Sequence, residues 1–292
     1  MGNGNYRFEL GNLKCIVVSD GSFTYHNPAQ VFFANAPEQE LEQVLREHNL
    51  EPEHWTEYVS PYTCLLVDTG RQRVLVDTGA GDMAPTTGNL IPNLQAEGIA
   101  PEEIDTVILT HGHPDHIGGT IDGEGNPAFP NARYVMCKEE WGFWTTAPDL
   151  SHLPAAEYII ELLLTFARNN LPPLRDQIDL VDAGTEVVPG IHLVAAPGHT
   201  PGHVAVAVSS GGEELLYISD TALHFLQLEQ PDWYSVVDIV PEQTLASRRR
   251  IMERAVAGKA LVHASHFPFP CLGNVIRKGK GWQWQPIEIT HE

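Results

Sequence analysis

The stretch DTVILTHGHPDH, residues 105–116, decides the fold of this chain. Its first half is an apolar run typical of a buried strand, and three imidazoles and one carboxylate follow within six residues. His111 and His113 lie two residues apart, so an extended or turning backbone points both side chains to one side. Asp115 and His116 begin the next element, from which they can face a second ion beside the first. Imidazole and carboxylate together favour zinc, iron, manganese or cobalt over calcium or magnesium. We therefore interpret this stretch as a metal site rather than a polar turn.

Three further apolar runs, all downstream, end in side chains that bind metals. They lead to His199, Asp220 and His266. Functional side chains commonly collect where strands end and loops begin. Four runs that each deliver such a side chain predict one site, assembled at one edge of a layered sheet.

With these residues the chain resembles the metallo-β-lactamase-fold hydrolases, and the likeness extends from about Leu13 to Ile289. The resemblance implies two divalent metal ions, zinc by default, with iron, manganese or cobalt as alternatives. It implies that Asp220 bridges both ions and that Asp115 also carries a proton to the leaving group. The ligands it implies are His111, His113 and His199 for one ion, and Asp115, His116 and His266 for the other.

The C-terminal third is similar to the branch that holds methyl parathion hydrolase and lactonase-like enzymes. The similar segments are residues 219–224, 248–250, 264–270 and 278–282. Many acyl-homoserine lactonases carry a tyrosine three residues after the bridging aspartate, whereas this chain has Leu223 there. His224 follows, and we predict it as a second catalytic candidate that contacts substrate or supports a ligand.

The function implied is that of a zinc-dependent hydrolase with a metal-bridging hydroxide. Its expected substrate is a small ester-like molecule, foremost a lactone, with phosphotriester hydrolysis as a side activity. One alternative is thioester hydrolysis of the glyoxalase II type, although the helical C-terminal domain usual there is replaced by residues 279–289. Another is a metal-binding protein of the same fold that has lost catalysis.

Composition limits the partners. The 292-residue chain has a formal net charge of −21, which argues against nucleic acid and anionic membrane surfaces. Its one dense basic run, Arg248–Arg250, is interpreted as a solvated helix face. Four scattered cysteines predict free thiols. The first residues contain no apolar signal core and no stretch is long enough to span a bilayer, so we expect a soluble cytoplasmic protein, with a homodimer as one option.

The order of patterns along the chain predicts the fold class. Short apolar runs bounded by Gly, Pro, Asp or Asn fall into two groups, separated by residues 138–182. Helical patterns cover residues 37–46, 155–169 and 241–257. This arrangement predicts an α+β protein, an αββα sandwich of two packed mixed sheets with flanking helices. We expect one domain over residues 1–292, with a helical, aromatic-rich insert around residues 138–175.

Two groups of side chains outside the ligand set are also singled out. Trp141, Phe143 and Trp144 either pack the insert onto the body or form an aromatic wall over the metal site, together with Phe267 and Phe269. Asp77, in the segment Val76-Asp-Thr-Gly79, is interpreted as a buried carboxylate that orients a ligand histidine, and His203 and His263 are interpreted as supporting residues.

Overall fold

The computed structural model describes residues 4–289, and its strands form two seven-stranded sheets. The first sheet contains β1 (Tyr6–Leu10), β2 (Leu13–His26), β3 (Glu57–Asp68), β4 (Arg73–Val76), β5 (Thr106–Leu109), β6 (Arg133–Cys137) and β7 (Ile178–Val181). The second contains β8 (Glu186–Val188), β9 (Ile191–Ala195), β10 (Val204–Ser210), β11 (Glu213–Tyr217), β12 (Leu261–His263), β13 (Leu272–Lys278) and β14 (Gly281–Pro286).

Helices flank the two sheets. They are α1 (Pro28–Phe32), α2 (Glu38–Glu47), α3 (Leu90–Ala96), α4 (Pro114–Ile117), α5 (Lys138–Thr145), α6 (Glu157–Asn170), α7 (Leu226–Glu229) and α8 (Pro241–Gly258). Strands β4 to β7 pair in parallel, as do β11 and β12, whereas the other neighbours are antiparallel. The predicted αββα sandwich of mixed sheets is confirmed.

The alternation of side chains along each strand explains the layers. In β5, Ile108 faces the other sheet, whereas Val107 and Leu109 pack against the helices of the first outer layer. In β10, the valines face the first sheet and the alanines face α8. Both faces of these strands are covered, so their sequences are continuous apolar runs. The ligand-bearing turns follow from these buried strands.

Several strands lie outside the sequence prediction. Edge strand β7 has four residues, two of them exposed, and β8 has three residues, so neither contains a long apolar run. Strand β2 continues to His26, well beyond the predicted run at residues 14–19, because its distal half pairs with an equally long β3. The four cysteines are buried and unpaired. Within residues 4–289, no helix has both the length and the apolarity needed to cross a membrane.

The interpretation of Arg248–Arg250 as a solvated helix face is wrong for Arg248. Its side chain is 1% exposed, and it donates hydrogen bonds to the backbone carbonyls of Thr221, Pro231 and Trp233. Arg249 is on the surface, where it pairs with Asp232. Arg248 thus ties α8 to the turn that follows Asp220.

Replacing Arg248 with methionine tests this assignment. The change leaves three buried carbonyls without a donor, so Arg248→Met is expected to lower the free energy of unfolding by about 3 kcal/mol. The neighbouring surface variant Arg249→Met, the control, is expected to change it by less than about 0.5 kcal/mol. Urea denaturation measures both, and equal stability of the two variants would contradict the buried role.

Candidate metal centre

The turn between β5 and α4 presents the first four candidate ligands. His111 and His113 follow the end of β5, and Pro114 begins α4 directly after His113. Proline suits the first position of a helix because its missing N–H is not needed there. The short helix then points Asp115 and His116 back toward the same space, so one turn serves two groups of ligands.

The structure brings all seven predicted ligands together in two groups that share Asp220. The ligand atoms within each group lie within 4.8 Å of one another. One group is His111, His113, His199 and Asp220, and the other is Asp115, His116, His266 and Asp220. This is the division that the resemblance implied.

The two carboxylate oxygens of Asp220 face different groups. Oδ2 lies 3.1 Å from His199 Nε2 and 3.6 Å from His111 Nε2. Oδ1 lies 3.1 Å from the Nε2 atoms of both His116 and His266. Each oxygen is therefore directed at its own cluster of imidazoles, which is the arrangement a bridging carboxylate requires.

Unpartnered imidazole nitrogens show that this donor set fits cations. Within residues 4–289, the Nε2 atoms of His111 and His116 are buried and have no hydrogen-bond partner. His113 Nδ1 also lies 2.8 Å from His199 Nε2, so two ring nitrogens converge on the same space. Buried polar atoms are normally hydrogen-bonded, and imidazole with carboxylate is a donor set that binds zinc.

Burial and the charge of Asp220 shift the pKa values of the neighbouring histidines in opposite directions. Burial and the neighbouring His116 hold the pKa of His111 well below its usual range. Burial also disfavours a charged His199, yet Asp220 and Asp238 raise its pKa to about 9. For Asp220, burial opposes ionisation, but the surrounding His116, His266 and His199 hold its pKa well below the usual range. The centre therefore contains an ionised carboxylate among closely spaced imidazoles.

Hydrogen bonds from outside the ligand set orient the imidazoles. Asp77, as predicted from its sequence context, is buried and accepts a hydrogen bond from His116 Nδ1 at 2.7 Å. Asp238 accepts one from His199 Nδ1 at 2.9 Å. His203 Nε2 accepts the backbone N–H of Asp220 at 3.2 Å. Such partners fix ring orientation and increase ligand basicity.

The backbone beside the centre is strained at two matching places. Asp77 follows β4 with φ at 62°, and Ser219 precedes Asp220 with φ at 45°. Left-handed conformations of residues other than glycine cost free energy and cluster at functional sites. They turn the chain sharply at the end of a strand in each sheet.

Glu140, which sequence reasoning missed, joins two ligand-bearing turns. It is fully buried in α5. One carboxylate oxygen accepts hydrogen bonds from Gly112 N–H and Trp144 Nε1–H, and the other accepts from Thr200 Oγ1–H and Gly202 N–H. The turn of His111 and His113 is thereby held against the turn of His199. An acidic pair at the start of a helix gave no signal for this contact.

Glycine is required where these turns meet α5. A Cβ at Gly112 would lie 2.3 Å from Trp144 Cδ1, and one at Gly202 would lie 2.2 Å from the backbone nitrogen of Glu140. The glycines of the two histidine-containing turns thus permit the close approach that Glu140 needs.

His224 is not brought to the two groups. Its ring is buried among aromatic side chains, and its Nδ1 accepts the N–H of Leu226. Its ring centroid lies 4.9 Å from that of Tyr58 and 5.5 Å from that of Phe33. Burial lowers the pKa of His224 to about 3. The geometry supports a packing role and gives no support to direct catalysis by this residue.

A pocket of about 180 Å³ opens over the centre. His113, Asp115, His199 and Asp220 line one side of it. The remaining wall is largely apolar and comes from β2, α6 and residues 223–237. A larger cavity of about 1030 Å³, around Asp20 and residues 81–88, includes none of the seven candidate ligands in its lining.

Of the two alternatives for the aromatic residues of the insert, the structure supports packing onto the body. Phe267 packs on Trp284 and Phe269 is exposed, and neither lines the pocket. Trp144 is buried against His113, with ring centroids 5.5 Å apart. The insert contributes instead through Tyr158 and the aliphatic side chains of α6.

Comparison with known proteins gives one sequence family and several similar structures. The profile of the metallo-beta-lactamase superfamily matches residues 58–248. An N-acyl homoserine lactonase of Bacillus cereus is 26% identical over an alignment of 226 residues, and the alignment covers 70% of this chain and 81% of the relative.

Two solved structures are similar over nearly the whole chain. The dizinc quorum-quenching lactonase AidC, solved with a product, has a TM-score of 0.88 and 28% identity, with 99% of both chains covered. The hydrolase AbOPH of the beta lactamase superfamily has a TM-score of 0.87 and 26% identity, with both chains fully covered.

Replacing Glu140 with glutamine tests its role in joining the two turns. The amide nitrogen would face two donors, so Glu140→Gln is expected to lose about 2–4 kcal/mol of unfolding free energy. Metal affinity, measured by competition with a chelator, is expected to fall about 10–100-fold. The adjacent exposed residue provides the control, Glu139→Gln. Unchanged metal affinity in Glu140→Gln would refute the proposed link between the turns.

Proposed function

Because this chain belongs to the metallo-β-lactamase superfamily, we propose that it is a dinuclear metal-dependent hydrolase that opens lactone rings. The main observation behind the proposal is the orientation of the Asp220 carboxylate, whose two oxygens face separate groups of imidazoles. The relatives named as lactonases, and the solved structure described as dizinc, support the same reaction class.

We assign one ion to His111, His113 and His199 and the other to Asp115, His116 and His266, with Asp220 shared. Zinc is the proposed metal. When bound, the two cations supply Lewis acidity, which activates water and polarises the substrate's carbonyl oxygen. No serine or cysteine nucleophile is needed for such a reaction.

Asp115 is the proposed proton carrier. Its side chain is 13% exposed, whereas those of His116, Asp220 and His266 are at most 3% exposed. It lines the pocket, and its Oδ2 lies 3.4 Å from His266 Nε2 and 3.7 Å from His116 Nε2. A carboxylate that contacts both the centre and the pocket can hold a proton and release it to the leaving oxygen.

The pocket wall favours a neutral, partly apolar substrate. Its lining includes apolar side chains such as Val31, Phe32, Leu162 and Leu223. Among the described residues that line it, none is a lysine or arginine. A lactone with an apolar substituent fits this surface, whereas the anionic glutathione moiety of a glyoxalase II substrate would find no cation. Phosphotriesters are also neutral and remain a proposed side substrate.

We also propose that the protein is cytoplasmic and that it is either a monomer or a homodimer. The acidic composition and the small-molecule pocket are consistent with a cytoplasmic enzyme. A homodimer is the proposed alternative to a monomer, and sedimentation of the purified protein decides between them.

Metal analysis and one substitution test the proposed function. Purified protein is expected to contain two metal ions per chain and to hydrolyse simple γ-lactones, measured by acid release. Asp220→Ala removes the shared carboxylate, and kcat/KM is expected to fall at least ~10³-fold, equivalent to ~4 kcal/mol of transition-state stabilisation.

The surface variant Asp232→Ala removes an exposed carboxylate and is the matched control. Its kcat/KM is expected to remain within about twofold of the unmodified protein. Protein that contains metal but hydrolyses neither lactones nor phosphotriesters would contradict the substrate class. Full activity of Asp220→Ala would contradict the bridge.

A further inference from the structure

Two phenols in the pocket wall form a hydrogen-bonded pair. Tyr25 lies in the distal half of β2, and Tyr62 lies in the neighbouring β3. Their hydroxyl oxygens are 2.7 Å apart. Both residues line the pocket that also contains Asp115 and Asp220.

Counting hydrogens shows that this pair has a donor to spare. Each phenol has one O–H donor and can accept at its oxygen. A single hydrogen bond between the two oxygens uses one hydrogen and leaves the other free. Among residues 4–289, neither hydroxyl makes another hydrogen bond to the protein. A buried donor without an acceptor is unfavourable, so the second hydrogen is available to an acceptor in the pocket.

The surroundings place this donor beside the second ligand group. The ring of Tyr62 packs edge-to-face against His266, with centroids 5.3 Å apart, and its residue is 3% exposed. Burial, together with the charge of Asp115, holds the pKa of Tyr25 well above its usual range. A phenol has an ordinary pKa of about 10, so both hydroxyls are protonated donors at neutral pH.

Two neighbouring side chains of the pocket wall do not compete with this donor. The hydroxyl of Ser235 donates its hydrogen bond to the backbone carbonyl of Val31. Leu223, which also lines the pocket, offers only carbon atoms. A substrate oxygen bound at this end of the pocket thus meets the tyrosine pair.

We propose that the Tyr25–Tyr62 pair donates a hydrogen bond to an oxygen of the scissile ester group. This inference rests on the proposed function and adds a substrate-contacting residue to it. The bond strengthens as negative charge develops on that oxygen, because hydrogen bonds to charged acceptors are stronger than those to neutral ones. The phenol that donates to its neighbour polarises the phenol that donates to the substrate.

The pair predicts a specific pattern among phenylalanine variants. Removing the phenol that contacts substrate eliminates the donor, whereas removing its neighbour leaves the donor in place but less polarised. The two single variants are therefore expected to differ, and the double variant is expected to be no slower than the slower single variant. Two unrelated structural defects would instead multiply.

Steady-state kinetics of Tyr25→Phe, Tyr62→Phe and the double variant test the proposal on a γ-lactone. The double variant is expected to lose about 10²-fold in kcat, with KM within about threefold, as for loss of a donor to developing charge. Its affinity for the ring-opened hydroxy acid, measured by calorimetry, is expected to fall about fivefold. Tyr6→Phe removes a phenol on β1, outside the pocket, and serves as the control.

A γ-thiolactone identifies the oxygen that accepts the bond, because it keeps the carbonyl oxygen but replaces the ring oxygen with sulfur. An equal loss of kcat on both substrates assigns the bond to the carbonyl oxygen. A smaller loss on the thiolactone assigns it to the ring oxygen. Either result supports the donor.

Metal content and melting temperature are measured for every variant. If the double variant is destabilised, the two single variants decide, because the one that removes the donor must lose kcat. A double variant, or both single variants, with metal, fold and kcat retained within about twofold would overturn this inference alone. Metal-loaded unmodified protein without lactone turnover would instead refute the proposed function, and this inference with it.

Discussion

The shared carboxylate of Asp220 is the contact on which the geometry of the centre depends. Its two oxygens hold apart two clusters of imidazoles that would otherwise compete for the same buried space. The backbone of Asp220 is held in place, because its N–H donates a hydrogen bond to His203 Nε2 and the preceding Ser219 adopts a left-handed conformation. The imidazoles in turn keep the carboxylate ionised in a place where burial alone would protonate it.

That contact can form only because two sheets are packed face to face. His111 and His116 come from the end of a strand in the first sheet, whereas Asp220 and His266 follow strands of the second. The valine-rich layer between the sheets sets the distance between these turns. Glu140 and Arg248 then secure the turns from the outside, each through buried hydrogen bonds to backbone groups.

The seven converging side chains and the two sheets could be predicted from the sequence because both follow local patterns. A histidine cluster after an apolar run is visible without coordinates, and strand alternation identifies the core. The contacts of Glu140, Asp238 and the Tyr25–Tyr62 pair join residues far apart in sequence, so no local pattern announces them. Arg248 shows the reverse error, since its chemistry suggests a surface position, yet it is buried and donates hydrogen bonds to backbone carbonyls.

The acidic residues at and beside the centre place a large negative charge in the protein interior. Five carboxylates converge there, those of Asp77, Asp115, Glu140, Asp220 and Asp238. Isolated buried charges are very costly, and two divalent ions would bring four positive charges into the same volume. Bound cations would thus neutralise the buried carboxylates in addition to taking part in the reaction. Without them, protonated imidazoles would have to supply the positive charge, and the pKa values of His116 and His199 are already raised.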